Sequence, residues 1–342
     1  MIAHATGGHR RERLSFPFNV VFDSFGLSPR LLATQIQLAD TVLAGAGGVG
    51  SGFVWALESL DVRGELDVAD PKAVTAGNLN RCFYYEAPDV GDDKAMVLCS
   101  KACFANLVLT PFVGSFHELS GQRGRIKRVI VTVDSRPARR DIQKEFPLEV
   151  LDASTTDVSE VVVHSHAQPN QGACLCCIYE HIPREDEQLH AIAEGLGVAV
   201  DAICDKQLID AGLALDLAAL HGLDAKALEG MALSSLYKQL CAAETLKTAA
   251  GEQALAPFAF ISNLAGILLA IELLRFEDAG GPTIASYASR DPWSPPHGRT
   301  RRARAKAANC EFCHDPVMAE LMVTIWRDRL QADPSEFDER AA

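Results

Sequence analysis

Between Gly45 and Asp134 the chain strings together a glycine loop, a carboxylate, an amide, an arginine, a lysine and a second carboxylate. These residue types can hold a polyphosphate and neutralise charge that builds on it. The loop reads Gly45-Ala46-Gly47-Gly48-Val49-Gly50, after the apolar run Thr41-Val42-Leu43-Ala44 and before Ser51-Gly52-Phe53-Val54-Trp55-Ala56-Leu57. Strand, glycine turn and helix in that order make a nucleotide-binding βα unit. Residues without side chains let backbone amides approach phosphate at the positive end of the helix. Asp70 closes the next alternating segment, Glu65-Leu66-Asp67-Val68-Ala69, where a carboxylate grips the hydroxyl pair of a ribose. A nicotinamide or flavin enzyme and an ATP user share both features, and a structural glycine turn shares the first.

The residues that follow separate these readings. After Asp70 come Pro71-Lys72-Ala73-Val74-Thr75-Ala76-Gly77-Asn78-Leu79-Asn80-Arg81, then Gly91-Asp92-Asp93-Lys94 at the start of a helical stretch, then Val129-Ile130-Val131-Thr132-Val133-Asp134. This series resembles the ThiF/MoeB family, bacterial relatives of ubiquitin-activating enzymes. The family signature is Gly-x-Gly-Gly-x-Gly, an acid closing the second strand, Asn-Leu-x-Arg, a lysine and an aspartate ending a later strand. The resemblance covers residues 35–180 and resumes near 256–275. It implies ATP as substrate, bound by Gly45, Gly47, Gly48 and Gly50, with Asp70 on the ribose and Asn78 at the phosphates or metal shell. When a carboxylate attacks the α-phosphate and pyrophosphate departs, fixed cations are the main requirement, and Arg81 and Lys94 supply them. Asp134 would hold Mg2+, which prefers carboxylate and phosphate oxygens. Two departures stand out: Cys82 replaces the glutamine common after the arginine, and no arginine lies at Asn19–Asp23, where members often donate one across a dimer. Arg13 or Arg30 would have to substitute, and the spacing does not choose between them.

A second constellation is Cys174-Leu175-Cys176-Cys177 with Cys310-Glu311-Phe312-Cys313. Cys174, Cys177, Cys310 and Cys313 form two Cys-x-x-Cys pairs suited to tetrahedral Zn2+, and a closed four-sulfur site is structural. The long separation means that Zn2+ would staple the last third of the chain to its middle. A disulfide, a thioredoxin-like redox pair, or Cys176 swapped in as ligand are the competing readings.

In relatives that pass an activated carboxylate to sulfur, the nucleophile lies between the first knuckle and the helix that re-enters the core. Two cysteines qualify. Cys241 follows Lys238 by one helical turn, and a nearby cation favours the thiolate, whereas Cys204 precedes Asp205, which disfavours it. Cys241 is therefore the candidate, with a small buried hydrophobe as the alternative. The re-entry helix reads Pro257-Phe258-Ala259-Phe260-Ile261-Ser262-Asn263-Leu264-Ala265-Gly266. His164 and His166 alternate along an apparent strand edge and receive no role; Cys99 and Cys103 are expected to be buried. Arg299, Arg301, Arg302, Arg304 and Lys306 crowd the segment before Cys310, read as a solvated loop or, second, an acidic-partner surface.

A net charge of −13 argues against a nucleic-acid surface. The longest apolar run, Leu264–Ile271, is too short to span a bilayer, and no secretory apolar core follows Met1. Ten cysteines without an export signal lead to the expectation of a reduced, cytoplasmic protein. The expected fold is α/β: a Rossmann-like, mainly parallel sheet with crossover helices, a zinc-stapled C-terminal part and a helical insertion. The expected divisions are an N-terminal segment (1–34), an ATP-binding adenylation core (35–177), a helical insertion carrying Cys241 (178–253), a re-entry helix with the basic loop and second knuckle (254–330), and an acidic tail (331–342).

The leading expectation is ATP-dependent adenylation of the C-terminal carboxylate of a ubiquitin-like protein ending in glycine, with a conjugating-enzyme partner and a thioester on Cys241. Homodimerisation is implied by the resemblance alone. Within the same chemistry stands adenylation of a sulfur-carrier protein or of a peptide in cofactor or peptide-antibiotic biosynthesis. From other classes stand an NAD(P)-dependent oxidoreductase and a noncatalytic zinc-stapled scaffold.

Overall fold

The computed structural model describes Ser28, Leu31 and residues 33–328, apart from positions 157–159, 171, 181–184, 204–208, 232, 234–235, 238–239, 241–245, 248–252, 255–258, 282–286 and 291–300. The apolar segment Phe16–Phe22, Arg13, Arg30, Arg299, Cys204, Cys241 and the acidic tail lie outside the described residues.

The core alternates strand and helix: β1 (Ile36–Leu38), β2 (Thr41–Ala44), α1 (Gly48–Leu57), β3 (Val62–Ala69), α2 (Lys94–Lys101), β4 (Leu107–Phe112), α3 (Phe116–Arg123), β5 (Arg128–Val131), α4 (Arg136–Lys144), β6 (Glu149–Thr156) and β7 (Glu160–Ala167). β2 and β5 are buried at every position, and after a polar first residue, Thr41 or Arg128, each is apolar, as suits strands covered on both faces. β1 and β2 behave as one interrupted strand beside β3. Ile36 pairs with Val62, an offset of 26, while Val42 pairs with Asp67, an offset of 25, and the slip falls at Asp40, whose φ is 49°.

Pairing is parallel from β4 through β3, β2, β5 and β6, so the sheet is mainly parallel as expected. β7 then runs antiparallel to β6. The remaining elements are α5 (Leu175–Ile178), α6 (Glu185–Leu196), α7 (Ala211–His221), α8 (Ala225–Leu228), β8 (Leu246–Lys247), β9 (Gln253–Ala254), α9 (Ala259–Asp278), β10 (Tyr287–Arg290), β11 (Arg301–Arg302) and α10 (Pro316–Ile325). β10 pairs with β7 and β11 with β10, both antiparallel. β7 is therefore an interior strand, not the edge that its alternation suggested.

Helices cover both faces. On one, α1 and α9 cross closely, because a Cβ at Gly266 would stand 2.4 Å from both Val49 O and Phe53 N. Phe53, Leu57, Leu269 and Leu273 are fully buried there. Each such side chain contributes about 1.5–3 kcal/mol by leaving water. On the other face α3, α4 and α5 enclose the cysteines. Local signals fix the helix ends: Ser115 and Glu118 form a capping box on α3, and Ser135 Oγ accepts from Ala138 N–H on α4. The helical insertion has an apolar core of its own, built from α6, α7 and α8 around Leu196, Ile203, Leu217 and Leu236.

The basic segment departs from the solvated-loop expectation at Arg301. Its guanidinium forms an ion pair with buried Glu272 of α9, which also accepts a 2.7 Å bond from Ser165 Oγ of β7. A buried carboxylate needs such partners, and β11 carries the guanidinium to it.

Candidate active site

The glycine loop leaves β2 and enters α1 under tight steric control. Gly45 adopts φ +105°, which side chains disfavour. A Cβ on Gly50 would stand 2.1 Å from Gly45 O, so the loop closes on itself only with glycine there. Thr132, just past β5, donates its hydroxyl to Ala44 O (3.0 Å) and Gly45 O (2.7 Å). Tyr85 donates its hydroxyl to Ala46 O at 2.5 Å, and Asp70 Oδ2 accepts from Ala46 N–H at 2.7 Å. Gly47 differs: a Cβ there meets nothing within 4 Å, and no side chain caps the N-terminus of α1. Those amides and the helix dipole face open space, which suits an anion.

Charged side chains gather around this opening. The Arg81 stem lies over the loop, its Cγ and Cδ 3.3 Å from a Cβ position on Gly48, and its guanidinium donates to Gly77 O. Lys94, the first residue of α2, is 5% exposed. Burial pushes its ammonium below the ordinary lysine range and the neighbouring Lys72 charge adds to this, against the pull of Asp70. Asp134 lies at the C-terminal end of the β5 segment with 61% of its side chain exposed. Burial raises its carboxyl, but the Lys72 ammonium, a backbone amide and the Lys94 charge together hold it below the usual range.

The structure thus brings Gly45, Gly47, Gly48, Gly50, Asp70, Arg81, Lys94 and Asp134 together at the C-terminal ends of β2, β3 and β5, the customary ligand position in open α/β sheets. Asp70 is partly committed, since its Oδ1 accepts from Lys72 N–H at 2.8 Å while Oδ2 holds the loop. The Asn78 Oδ1 accepts from Thr75 N–H (2.9 Å) and Thr75 Oγ (3.0 Å), so this oxygen organises its own turn. Sequence reasoning missed Lys72, Thr132 and Tyr85. Lys72 Nζ lies 3.0 Å from Asp134 Oδ2, a contact across 62 positions that local spacing does not signal. Cys82 is buried behind Arg81, and burial pushes its thiol up to about 11; burial likewise takes Cys99 to about 12. Neither is a ready nucleophile. Cys99 is half-buried, and Cys103 is exposed rather than buried.

The four cysteines converge 136 positions apart in sequence. Cys174 Sγ is 3.6 Å from Cys310 Sγ and 3.3 Å from Cys313 Sγ, and Cys177 Sγ is 3.6 Å from Cys313 Sγ. All four sulfurs lie within 4.8 Å of one another. A tetrahedral ion with bonds of about 2.3 Å to sulfur spaces its ligands about 3.8 Å apart, which this cluster matches. Cys176 points elsewhere, its Sγ 3.7 Å from Arg140 O. The cluster is tied to α4 by the bond from Leu175 N–H to Gln143 Oε1 at 3.1 Å.

The family model of the ThiF family matches residues 29–312. The chain belongs to the ThiF family. An uncharacterized protein, y4jF, from Sinorhizobium fredii is 28% identical over 299 residues, covering 82% of this chain and 57% of the relative. The chain thus spans little more than half the length of that relative. Among solved structures, E. coli MccB with SeMet MccA aligns at TM-score 0.53 and 14% identity, covering 86% of this chain and 72% of that one. E. coli MccB with a succinimide aligns at 0.51 and 13% identity, covering 86% and 69%. These likenesses speak for the fold. Among the described residues no helix is long and apolar enough to cross a membrane.

Proposed function

We propose that this ThiF-family chain is an adenylyltransferase that transfers AMP from ATP to the C-terminal carboxylate of a peptide or small protein. The observation that carries this reading is the gathering of the Arg81 stem over the glycine loop, Lys94 near Asp70 and Asp134 paired with Lys72 around the uncapped N-terminus of α1. ATP would lie with its phosphates on the amides near Gly47 and its ribose toward Asp70. The substrate carboxylate oxygen attacks the α-phosphorus; a new C–O–P linkage forms as the bond to pyrophosphate breaks, and the leaving group departs with the electron pair. Charge on the phosphoryl oxygens rises along this path, and Arg81 and Lys94 meet it with fixed positive charge.

Asp134 would hold Mg2+. One exposed carboxylate is a sparse donor set, but it fits an ion that takes most of its remaining oxygens from nucleotide and water. Such an ion supplies further neutralisation of phosphate charge. Zn2+ would sit among Cys174, Cys177, Cys310 and Cys313 as a structural ion, with no open position for chemistry.

A polypeptide acceptor is supported by family membership and by MccB, which was solved together with MccA. The acceptor is either a peptide or a ubiquitin-like or sulfur-carrier protein ending in glycine. Of these, we favour the protein because of the insertion with its own core; a homodimeric enzyme, a conjugating-enzyme partner and a cytoplasmic setting would go with that reading. In that case Cys241 would take the acyl group from the adenylate, a C–S bond forming as AMP leaves. Pyrophosphate exchange into ATP that depends on the acceptor and falls at least a hundredfold in Arg81→Ala and Asp134→Ala tests the adenylation step (about 3 kcal/mol for one stabilising group). For the thioester, a thiol-sensitive adduct should disappear in Cys241→Ala and persist in Cys204→Ala; the reverse pattern would move the role to Cys204.

A further inference from the structure

Lys72 lies just past the end of β3, between Asp70 and Asp134. Its backbone is held at both polar groups: N–H donates to Asp70 Oδ1 at 2.8 Å, and C=O accepts from Lys94 N–H at 3.1 Å. Asp70 bonds the loop amide of Ala46 through its other oxygen, so one carboxylate separates the Lys72 backbone from the glycine loop. Asp134, its side-chain partner, lies two residues beyond Thr132, which itself holds Gly45 O. The Lys72–Asp134 pair therefore spans the mouth of the loop, between the ends of β3 and β5 that flank β2.

An ammonium offers three donors, and here they address one carboxylate, at 3.0 and 3.3 Å. The pair is open to water, with 25% and 61% of the two side chains exposed, so it is weak and readily exchanged. A nucleoside triphosphate carries more negative charge than Arg81 and Lys94 neutralise between them. A divalent cation recruited to Asp134 would compete directly with the Lys72 ammonium. A fixed backbone and a flexible four-carbon stem leave that ammonium free to move a short distance to phosphate oxygen, which it binds as a point charge.

We infer that Lys72 is a third phosphate-binding cation of this site, which exchanges the Asp134 carboxylate for the β- or γ-phosphate oxygens of a bound nucleoside triphosphate. This rests on the adenylyltransferase reading and adds a residue that selects the triphosphate and its pyrophosphate product over AMP. The alternative role is structural, with Lys72 doing no more than fixing the Asp134 side chain.

Calorimetric titration of the full chain with ATP, pyrophosphate and AMP, in wild type, Lys72→Met and Lys72→Arg, separates the two. The expected result is that Lys72→Met weakens ATP and pyrophosphate at least about tenfold, the loss of one charge-assisted contact. AMP affinity should stay within about twofold of wild type, and Lys72→Arg should recover most of the loss. The Mg2+ concentration that half-saturates ATP binding should not rise in Lys72→Met, because a competitor for Asp134 has gone. Equal weakening of ATP and AMP, or unchanged ATP affinity, would overturn the inference while leaving the nucleotide site standing. Wild type that binds neither ATP nor AMP would instead overturn the adenylyltransferase reading itself.

Discussion

Gly47 and Gly50 belong to one motif and do opposite things. Gly50 has no room for a methyl group because Gly45 O occupies the space, whereas Gly47 faces solvent with an ordinary backbone conformation at φ −77°. Gly50→Ala should cost at least about 2 kcal/mol of stability, read as a lowered urea midpoint. Gly47→Ala should leave stability within about 0.5 kcal/mol yet weaken ATP at least tenfold, since its methyl group enters the space a phosphate needs. Loss of stability without loss of affinity in Gly47→Ala would contradict that division. At this scale the order of Arg81, Lys94 and Asp134, with the family resemblance, pointed to roles that stand as proposals, and the fold places the three near the glycine loop. The sequence was silent about Lys72, since a lysine three residues past a strand reads as a solvated side chain until the fold brings Asp134 to it.

At the level of elements, the two cysteine knuckles and β7 carry the sharpest expectations. If a structural ion joins Cys174–Cys177 to Cys310–Cys313, Cys174→Ser should release one equivalent of Zn2+ and loosen α5 from α4, measured by metal analysis with thermal melting. β7 contributes a pH dependence. His164 and His166 are buried with their rings 3.0 Å apart at the nearest nitrogens. Burial lowers His166 to about 3 and lowers His164 well below its ordinary value near 6.5. Below about pH 6.5 the unfolded chain takes up protons that the folded chain refuses, so stability falls with falling pH. The slope is about 1.4 kcal/mol per pH unit for each histidine until the folded values are reached. Urea unfolding between pH 7 and pH 5 should show this, and His166→Gln should remove about half of the slope. The strand was legible from alternation, but its interior position was not, because β10 and β11 arrive from more than a hundred residues later. Arg301 and Glu272, 29 positions apart, meet only once β11 joins the sheet beside β10, and composition alone made that segment look solvated.

Among the described residues, the apolar contacts of the sheet's two faces and those of the insertion have different tasks. The sheet with its flanking helices positions the candidate site, and the insertion has a separate core. Leu217→Ala, at a fully buried site of that core, should cost about 2–5 kcal/mol locally and raise hydrogen exchange across α6–α8. ATP affinity should remain within about twofold, and a large fall would mean that the insertion supports the nucleotide site. The α/β class and the parallel centre were legible because apolar runs such as Val42–Ala44 and Val129–Val131 alternate with helical stretches and the glycine loop fixes one βα unit. The antiparallel extension was not, since short strands such as Arg301–Arg302 carry no periodic signal.

The central claim is transfer of AMP to a polypeptide carboxylate, and pyrophosphate exchange into ATP measures it most directly when paired acceptors differ only at the C-terminus. With a panel of glycine-terminated small proteins and peptides, exchange should occur with the free carboxylate and vanish when that group is amidated. Micromolar binding of a nicotinamide dinucleotide, with no binding of ATP and no exchange with any acceptor, would contradict the account.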